Sequence, residues 1–132
     1  MFFVSPANPE PLYQQVVDQL RGLILRGELA PGSPLPSVRQ LAEEISASVI
    51  TTRRAYTELE REGMIVTRQG LGTFVADLDV ERRRRAATAL VLDELRRVAR
   101  RAAPLGVLGA DFIELARQAA AGAESEVRRA DH

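Results

Sequence analysis

Two helix patterns lie on either side of a connection of only three residues, Ser46–Ser48. The first, SVRQLAEEI, carries apolar residues at helical spacing behind Ser37, which is a typical helix N-cap. The second follows Ser48, another N-cap residue, and runs to about Glu62. A helix, a three-residue turn and a second helix form the order of a helix-turn-helix.

One helix precedes this pair and a β-hairpin follows it. From Pro11 to Gly27, apolar residues at three- and four-residue steps predict an amphipathic helix, and GELAPGSPLPS then predicts a loop. After Gly63, the strand-like runs MIVT and GTFVA surround the five-residue loop RQGLG and predict a hairpin. After an N-terminal extension of residues 1–10, residues 11–76 therefore follow the order of a winged helix-turn-helix.

The third predicted helix, which begins at Val49, opens in an unusual way. The four residues of its first turn, VITT, are all β-branched and lose side-chain freedom in a helix. In a helix-turn-helix, the N-terminal residues of the second helix meet base edges in the major groove, so contact with DNA explains this choice. Methyl groups of this turn can pack on the thymine methyl, and Arg53 and Arg54 can reach guanine edges or phosphates.

The hairpin and the preceding helix supply the remaining predicted contacts. Arg68 and Gln69 are placed to enter the minor groove, and Gly70 lets the backbone approach closely. Arg39 is expected to contact the backbone or a base, and Ser37 with the free N–H groups beside it predicts a phosphate site. The complete predicted DNA-binding set is Ser37, Arg39, Ser48, Val49, Ile50, Thr51, Arg53, Arg54, Arg68, Gln69 and Gly70.

Simpler interpretations of several residues stay open. Thr52 shares a helix face with apolar residues and is expected in the core, whereas Ile50 is harder to bury. The arginines could form a solvated helix face, and RQGLG could be only a turn. Tyr13 and Tyr56 are expected to be half-buried packing residues whose hydroxyls can reach phosphate. A further alternative is a winged-helix protein-interaction module that no longer binds DNA.

Composition excludes several classes of function. The chain has no cysteine, and its only histidine is His132, so thiolate or histidine metal sites and catalysis by these residues are excluded. We therefore predict no cofactor, no metal and no enzyme. The 18 basic and 18 acidic residues balance, so attraction to DNA has to come from a local patch. No apolar run approaches the roughly 20 residues that span a bilayer, and the N-terminus is a poor signal peptide, which predicts a cytoplasmic protein.

Residues 77–121 predict two further helices joined by the turn PLGVLG. So small a unit cannot bury all of its apolar side chains alone, which predicts a homodimer. The predicted interface comprises Leu90, Val91, Leu95, Val98, Leu108, Phe112 and Leu115. Two-fold symmetry would pair two DNA-binding domains on an inverted-repeat operator, with half-sites about 34 Å apart.

The rest of this region carries weaker signals. Arg82–Arg85 could clamp DNA, but the Glu81–Arg85 spacing favours solvated ion pairs along the helix. Residues 122–132 are polar and small and predict a disordered tail. A small-molecule effector is an open alternative, to which no residues are assigned.

Several separate blocks of residues 11–76 resemble the winged-helix domain of the GntR family of bacterial transcription regulators. They are PLYQQVVDQLRGLILRGELAPGSPLPSVRQLAEE, AYTELEREGMI and GLGTFVA. With the short C-terminal region, AYTELEREG also resembles the YtrA subfamily. The resemblance implies a dimeric DNA-binding regulator of the repressor type. At Val49–Ile50 the family usually carries polar or proline-containing pairs, so fewer hydrogen bonds to bases and more methyl contact are expected there, with weaker DNA binding as the alternative.

Overall fold

The computed structural model describes residues 4–5 and 7–131. Its elements are α1 (Leu12–Leu25), β1 (Pro34–Leu35), α2 (Val38–Ile45), α3 (Val49–Arg61), β2 (Ile65–Arg68), β3 (Gly72–Val75), α4 (Val80–Ala102), a 3-10 turn (Ala103–Leu105) and α5 (Gly109–Ala130). The predicted class, mostly helical with a small β wing, is confirmed. The chain divides into two compact units between Ala87 and Thr88. This boundary lies beyond residue 77 because Leu78 and Ala86 pack against the N-terminal core.

The N-terminal unit is built around α3, which packs against α1, α2 and β2. Its core combines one face of each helix with the inner residues of the sheet. Full burial of a valine, leucine, isoleucine or methionine side chain in this core stabilises the fold by about 1.5–3 kcal/mol. The core cluster is Val16, Val17, Leu20, Ile24, Leu41, Ala55, Tyr56, Leu59, Met64, Ile65 and Val75.

The connection between α2 and α3 has the predicted length of three residues. Ser46 takes the left-handed conformation with φ 55°, the one non-glycine residue with positive φ in the described part of the chain. The N–H of Ala47 then donates to the carbonyl of Ala42 at 3.0 Å, which closes the end of α2. The chain therefore reverses at once, and α3 begins at Val49.

The wing, residues 65–75, differs from the prediction in two ways. Arg68 pairs with Gly72, so the loop holds three residues, Gln69–Leu71, and not five. Pro34–Leu35, predicted as loop, forms a third strand in the antiparallel order β1-β3-β2. Two residues are too few for a periodic signal, and proline, which has no N–H, is tolerated only at a sheet edge, as here.

The described part of the N-terminal extension is fixed by one buried amide. Gln15, 4% exposed, accepts a hydrogen bond from the N–H of Ser5 at 2.9 Å. Its amide nitrogen donates to the carbonyls of Ser5 and Glu10 at 3.1 and 2.9 Å. Residues 1–3 and 6 of the predicted extension lie outside the described residues.

The C-terminal unit contains a longer final helix than predicted. Helix α5 continues to Ala130, so the prediction of a disordered tail is wrong for residues 122–130; His132 lies outside the described residues. The misleading signal was the polar and small composition of this segment. Its alanine, glutamate and arginine residues favour a helix all the same. No helix of the described chain is both long and apolar enough to cross a membrane.

One ion pair joins α1 to the C-terminal end of α3. Arg21 Nη2 lies 2.5 Å from Glu62 Oε1, and both side chains are about one-fifth exposed. Arg21 also contacts Asp18 at 3.2 Å, one turn earlier on α1. The pair lies at the edge of the core, where water screens its charges less than on the open surface.

We expect the Glu62→Ala variant to lower the free energy of unfolding by about 1–3 kcal/mol, because it leaves a partly buried guanidinium with a poorer partner. Urea denaturation measures this loss. Glu28→Ala is the matched control, since it removes an exposed pair with Arg26 and should change the unfolding free energy by less than about 0.5 kcal/mol. Equal losses in the two variants would contradict a structural role for the Arg21–Glu62 pair.

Candidate nucleic-acid interface

Helix α3 turns one face inward and leaves the opposite face to solvent. Thr52 is fully buried together with Ala55 and Leu59 on the inner face. On the outer face, Ile50 is 82% exposed and Val49 is 38% exposed. The predicted burial of Thr52 and exposure of Ile50 are confirmed, whereas DNA contact at these positions stays a prediction.

The β-branched first turn of α3 is held by its N-cap. The Ser48 hydroxyl oxygen accepts the N–H of Thr51 at 3.0 Å, and the Ser48 hydroxyl donates to the Thr51 hydroxyl at 2.9 Å. The buried Thr52 hydroxyl donates to the Ser48 carbonyl at 3.0 Å. These local hydrogen bonds offset the poor helix propensity of the turn, so Val49 and Ile50 are presented on a fixed backbone.

Helix α2 begins with a capping box. The Ser37 hydroxyl accepts the N–H of Gln40 at 3.1 Å, and the Gln40 side chain accepts the N–H of Ser37 at 2.9 Å. The role of Gln40 was missed, although the spacing Ser-x-x-Gln signals such a box. The remaining N–H groups of the first turn have no acceptor within the helix, which suits an anion.

A cleft of about 520 Å³ lies between α2, α3 and the sheet of the N-terminal unit. It brings together three predicted residues, Ser37, Arg39 and Arg53. Leu71 and Thr73 also line it and were missed. The sequence signal for Leu71 was its position between two glycines in the wing loop. In the structure it is 73% exposed, and both glycines have positive φ. Its full lining is Leu35, Ser37, Val38, Arg39, Gln40, Arg53, Leu71, Gly72 and Thr73.

The arginines of residues 11–76 fall into two groups. Those paired with carboxylates are Arg21, Arg26 and Arg61. The other four, which have no carboxylate partner within the described chain, are Arg39, Arg53, Arg54 and Arg68. All four are exposed, and all four belong to the predicted DNA-binding set. The helix-turn-helix and the wing of this chain of zero net charge thus carry four exposed arginines that form no ion pair with a described carboxylate.

Two of these cations lie against aromatic rings. The guanidinium carbon of Arg54 is 3.7 Å from the ring centroid of Tyr13 on α1. The guanidinium carbon of Arg68 is 5.9 Å from the ring centroid of Phe74 on the neighbouring strand. Both distances allow a cation–π interaction. Sequence inspection could not find these contacts, because each one joins different elements of the fold.

The burial of Tyr56 and the partner of its hydroxyl differ from the prediction. It was expected to be half-buried with a hydroxyl free for phosphate, but it is 5% exposed, and its hydroxyl donates to the carbonyl of Pro36 at 2.7 Å. Burial, followed by the charge of Glu44, raises the pKa of Tyr56 to about 12. The side chain therefore holds the entry of α2 against α3 and does not reach the surface.

In the C-terminal unit, α4 and α5 face an apolar groove of about 740 Å³. Five predicted dimer residues line it: Val91, Leu95, Val98, Phe112 and Leu115. Leu90 and Leu108 do not, and Leu108 instead precedes α5 as its N-cap, 60% exposed. The groove also contains residues outside the predicted set: Ala102, Leu105, Val107, Ala116, Ala119 and Ala120.

The basic run Arg82–Arg85 at the start of α4 forms in part the ion pairs along the helix that its spacing predicted. Arg85 pairs with Glu81 at 3.4 Å, as the spacing predicted. Arg83 is half-buried, and its guanidinium lies beside Gly27 at the end of α1. A group of three or more metal-binding side chains does not occur within the described residues.

Sequence comparison places residues 12–75 in the family model "Bacterial regulatory proteins, gntR family". The HTH-type transcriptional repressor YtrA of Bacillus subtilis (strain 168) is 44% identical over 77 residues, 58% of this chain and 59% of that protein. The uncharacterized HTH-type transcriptional regulator YhcF of the same organism is 44% identical over 70 residues, 53% of this chain and 58% of that protein. The chain therefore matches less than two thirds of the length of these curated relatives.

Solved structures extend the likeness beyond this domain. A GntR family transcriptional regulator from Listeria monocytogenes aligns with TM-score 0.68 and 26% identity over 84% of this chain and 96% of that chain. YtrA from Sulfolobus acidocaldarius, a GntR-family transcription factor, aligns with TM-score 0.59 and 28% identity over 90% and 97%. AraR(DBD), solved in complex with operator ORX1, aligns with TM-score 0.51 and 31% identity over 57% and 93%.

The family model covers the three helices and the wing, which are the elements that carry the unpaired arginines. Residues 12–75 form a winged-helix domain of the gntR family of bacterial regulatory proteins, and the chain resembles YtrA-type members of that family.

Proposed function

We propose that this protein is a transcriptional repressor that binds an inverted-repeat operator as a homodimer. The observation that carries the proposal is that the four arginines of α2, the exposed face of α3 and the wing are exposed and form no ion pair in the part of the chain that the structure describes. A local group of cations attracts DNA phosphates even when the net charge of the chain is zero. As a DNA-binding regulator of a bacterium, it would act in the cytoplasm.

The exposed face of α3 fits the major groove. Ile50 lies near the centre of this face and Arg53 at its margin, next to the cleft that contains Arg39. We infer that Ile50 packs on a thymine methyl, while Arg39 and Arg53 contact guanine edges or phosphates. Arg68 and Gln69 at the wing would then enter the adjacent minor groove. The AraR domain, solved with operator DNA, supports this use of the fold.

The C-terminal groove supports the homodimer. No residue of α4 or α5 that the structure describes is buried within the single chain, and Val91, Leu95 and Val98 are about half exposed on α4. Because contiguous exposed apolar area marks an interface, a second copy of the chain is the proposed occupant. Two-fold pairing would present two copies of α3 to half-sites about 34 Å apart. The relative YtrA is named a repressor, which supports that sign of regulation.

A second candidate function is a protein-interaction module. It is favoured by the apolar pair Val49–Ile50, whose side chains form no hydrogen bonds to bases and could instead contact an apolar protein surface. Salt dependence separates the two functions. Binding to DNA phosphates releases counterions and therefore weakens with salt, whereas binding to a protein partner does not require counterion release. Binding to a duplex from the protein's own promoter that weakens steeply with salt would favour the regulator.

We expect the Arg53→Ala and Arg39→Ala variants each to weaken specific DNA binding by about 1–3 kcal/mol without unfolding the protein, because both side chains line the cleft beside α3. Fluorescence anisotropy with a promoter duplex measures the loss. Arg26→Ala is the control, since it removes an exposed arginine that is already paired with Glu28. Wild-type affinity in both cleft variants would contradict the proposed docking of α3.

We expect the Leu95→Asp and Phe112→Asp variants to be monomers with reduced operator affinity, because each places a charge in the apolar groove. Sedimentation velocity measures the association state. Ala89→Asp adds the same charge at an exposed position of α4 that does not line the groove, and should leave the dimer intact. An unchanged dimer in both groove variants would reject this interface.

A further inference from the structure

The two arginines of α3 lie on opposite margins of its outer face. Successive helix residues are turned by about 100°, so Arg53 and Arg54 lie on either side of the line through Ile50 and Thr57. Arg53 lies on the side of the cleft between α2 and the wing. Arg54 lies on the side of α1, with its guanidinium 3.7 Å from the ring centroid of Tyr13.

We propose that Tyr13 is a positioning residue for DNA binding, which holds the Arg54 guanidinium on the α1 side of α3 for contact with a backbone phosphate. The inference rests on the proposed function and adds a second phosphate contact to it, across the groove from Arg53. No hydrogen bond to a base is assigned to Arg54.

Groove dimensions favour a phosphate as the target. The major groove is about 12 Å wide, close to the diameter of a helix with its side chains. Residues at the centre of the outer face, such as Ile50, therefore meet base edges, whereas residues at its margins meet the sugar-phosphate walls. Arg54 is exposed and has no carboxylate partner in the described chain, so its charge is available to one of these walls.

The stacking geometry explains the contribution of Tyr13. A ring covers one flat face of a guanidinium and leaves the N–H donors in the plane free to bind a phosphate oxygen. The ring also restricts a long side chain that would otherwise lose much conformational freedom on binding. Tyr13 is itself half-buried and packs against the core of the N-terminal unit, so it forms a fixed platform.

A phosphate contact is independent of sequence, so a fluorescent mixed-sequence duplex is a sufficient probe. Its affinity is measured over a range of salt concentrations for the full chain and its variants. We expect Arg54→Ala to weaken binding and to reduce the slope of log K against log salt by about 1. Tyr13→Leu should reproduce most of both effects, whereas Tyr13→Phe should behave as wild type because it retains the aromatic face.

The double variant Tyr13→Leu/Arg54→Ala should bind no more weakly than Arg54→Ala alone, since both changes remove one contact. Arg61→Ala serves as the control on the same helix, because Arg61 is exposed and paired with Glu58, and should keep the wild-type slope. Thermal melting confirms that each variant is folded. Tyr13→Met, which fills the space without an aromatic face, replaces Tyr13→Leu if that variant unfolds.

Two results would overturn the inference: an unchanged salt slope in Tyr13→Leu or Tyr13→Met, or fully additive losses in the double variant. Wild-type duplex affinity and salt slope in Tyr13→Phe, together with weaker binding in Tyr13→Leu, support the inference. Failure of the proposed function is a different result, namely the absence of salt-dependent duplex binding in the wild-type protein itself.

Discussion

The left-handed backbone of Ser46 determines how the outer face of α3 is presented. This conformation and the hydrogen bond from Ala47 to Ala42 end α2 abruptly, so that Ser48 can cap α3 after only three residues. Since α3 packs against α1, α2 and β2, the position of this turn determines which of its residues are buried. With Thr52 inside, Ile50 and the two arginines beside it must face solvent.

Ion pairing within the fold then decides where positive charge is available. In residues 11–76 carboxylates pair with the arginines of α1 and its C-terminus and with Arg61 at the end of α3, and leave those of α2, the first half of α3 and the wing unpaired. Two of the unpaired arginines lie over aromatic rings, which restrict the side chain without removing its charge. A chain of zero net charge can therefore present exposed arginines that are not ion-paired with its described carboxylates.

The main features of the fold could be predicted from short-range signals. Ser37, Ser48 and the helical spacing behind them were sufficient for the helix-turn-helix, because caps and periodicity are local properties. The strand Pro34–Leu35, the buried hydroxyl of Tyr56 and the stacking of Arg54 on Tyr13 were not predictable, because each depends on a contact with a distant part of the chain. The continuation of α5 was not predicted, because a polar segment of small residues is typical of a disordered tail even when, as here, its alanine, glutamate and arginine also favour a helix.

The cations around α3 are all arginine, and the whole chain contains no lysine. Lysine acetylation, which removes a positive charge, therefore has no target on this surface. Acetyl transfer to lysine cannot reduce the attraction of these arginines for phosphate, whereas a rise in ionic strength weakens it.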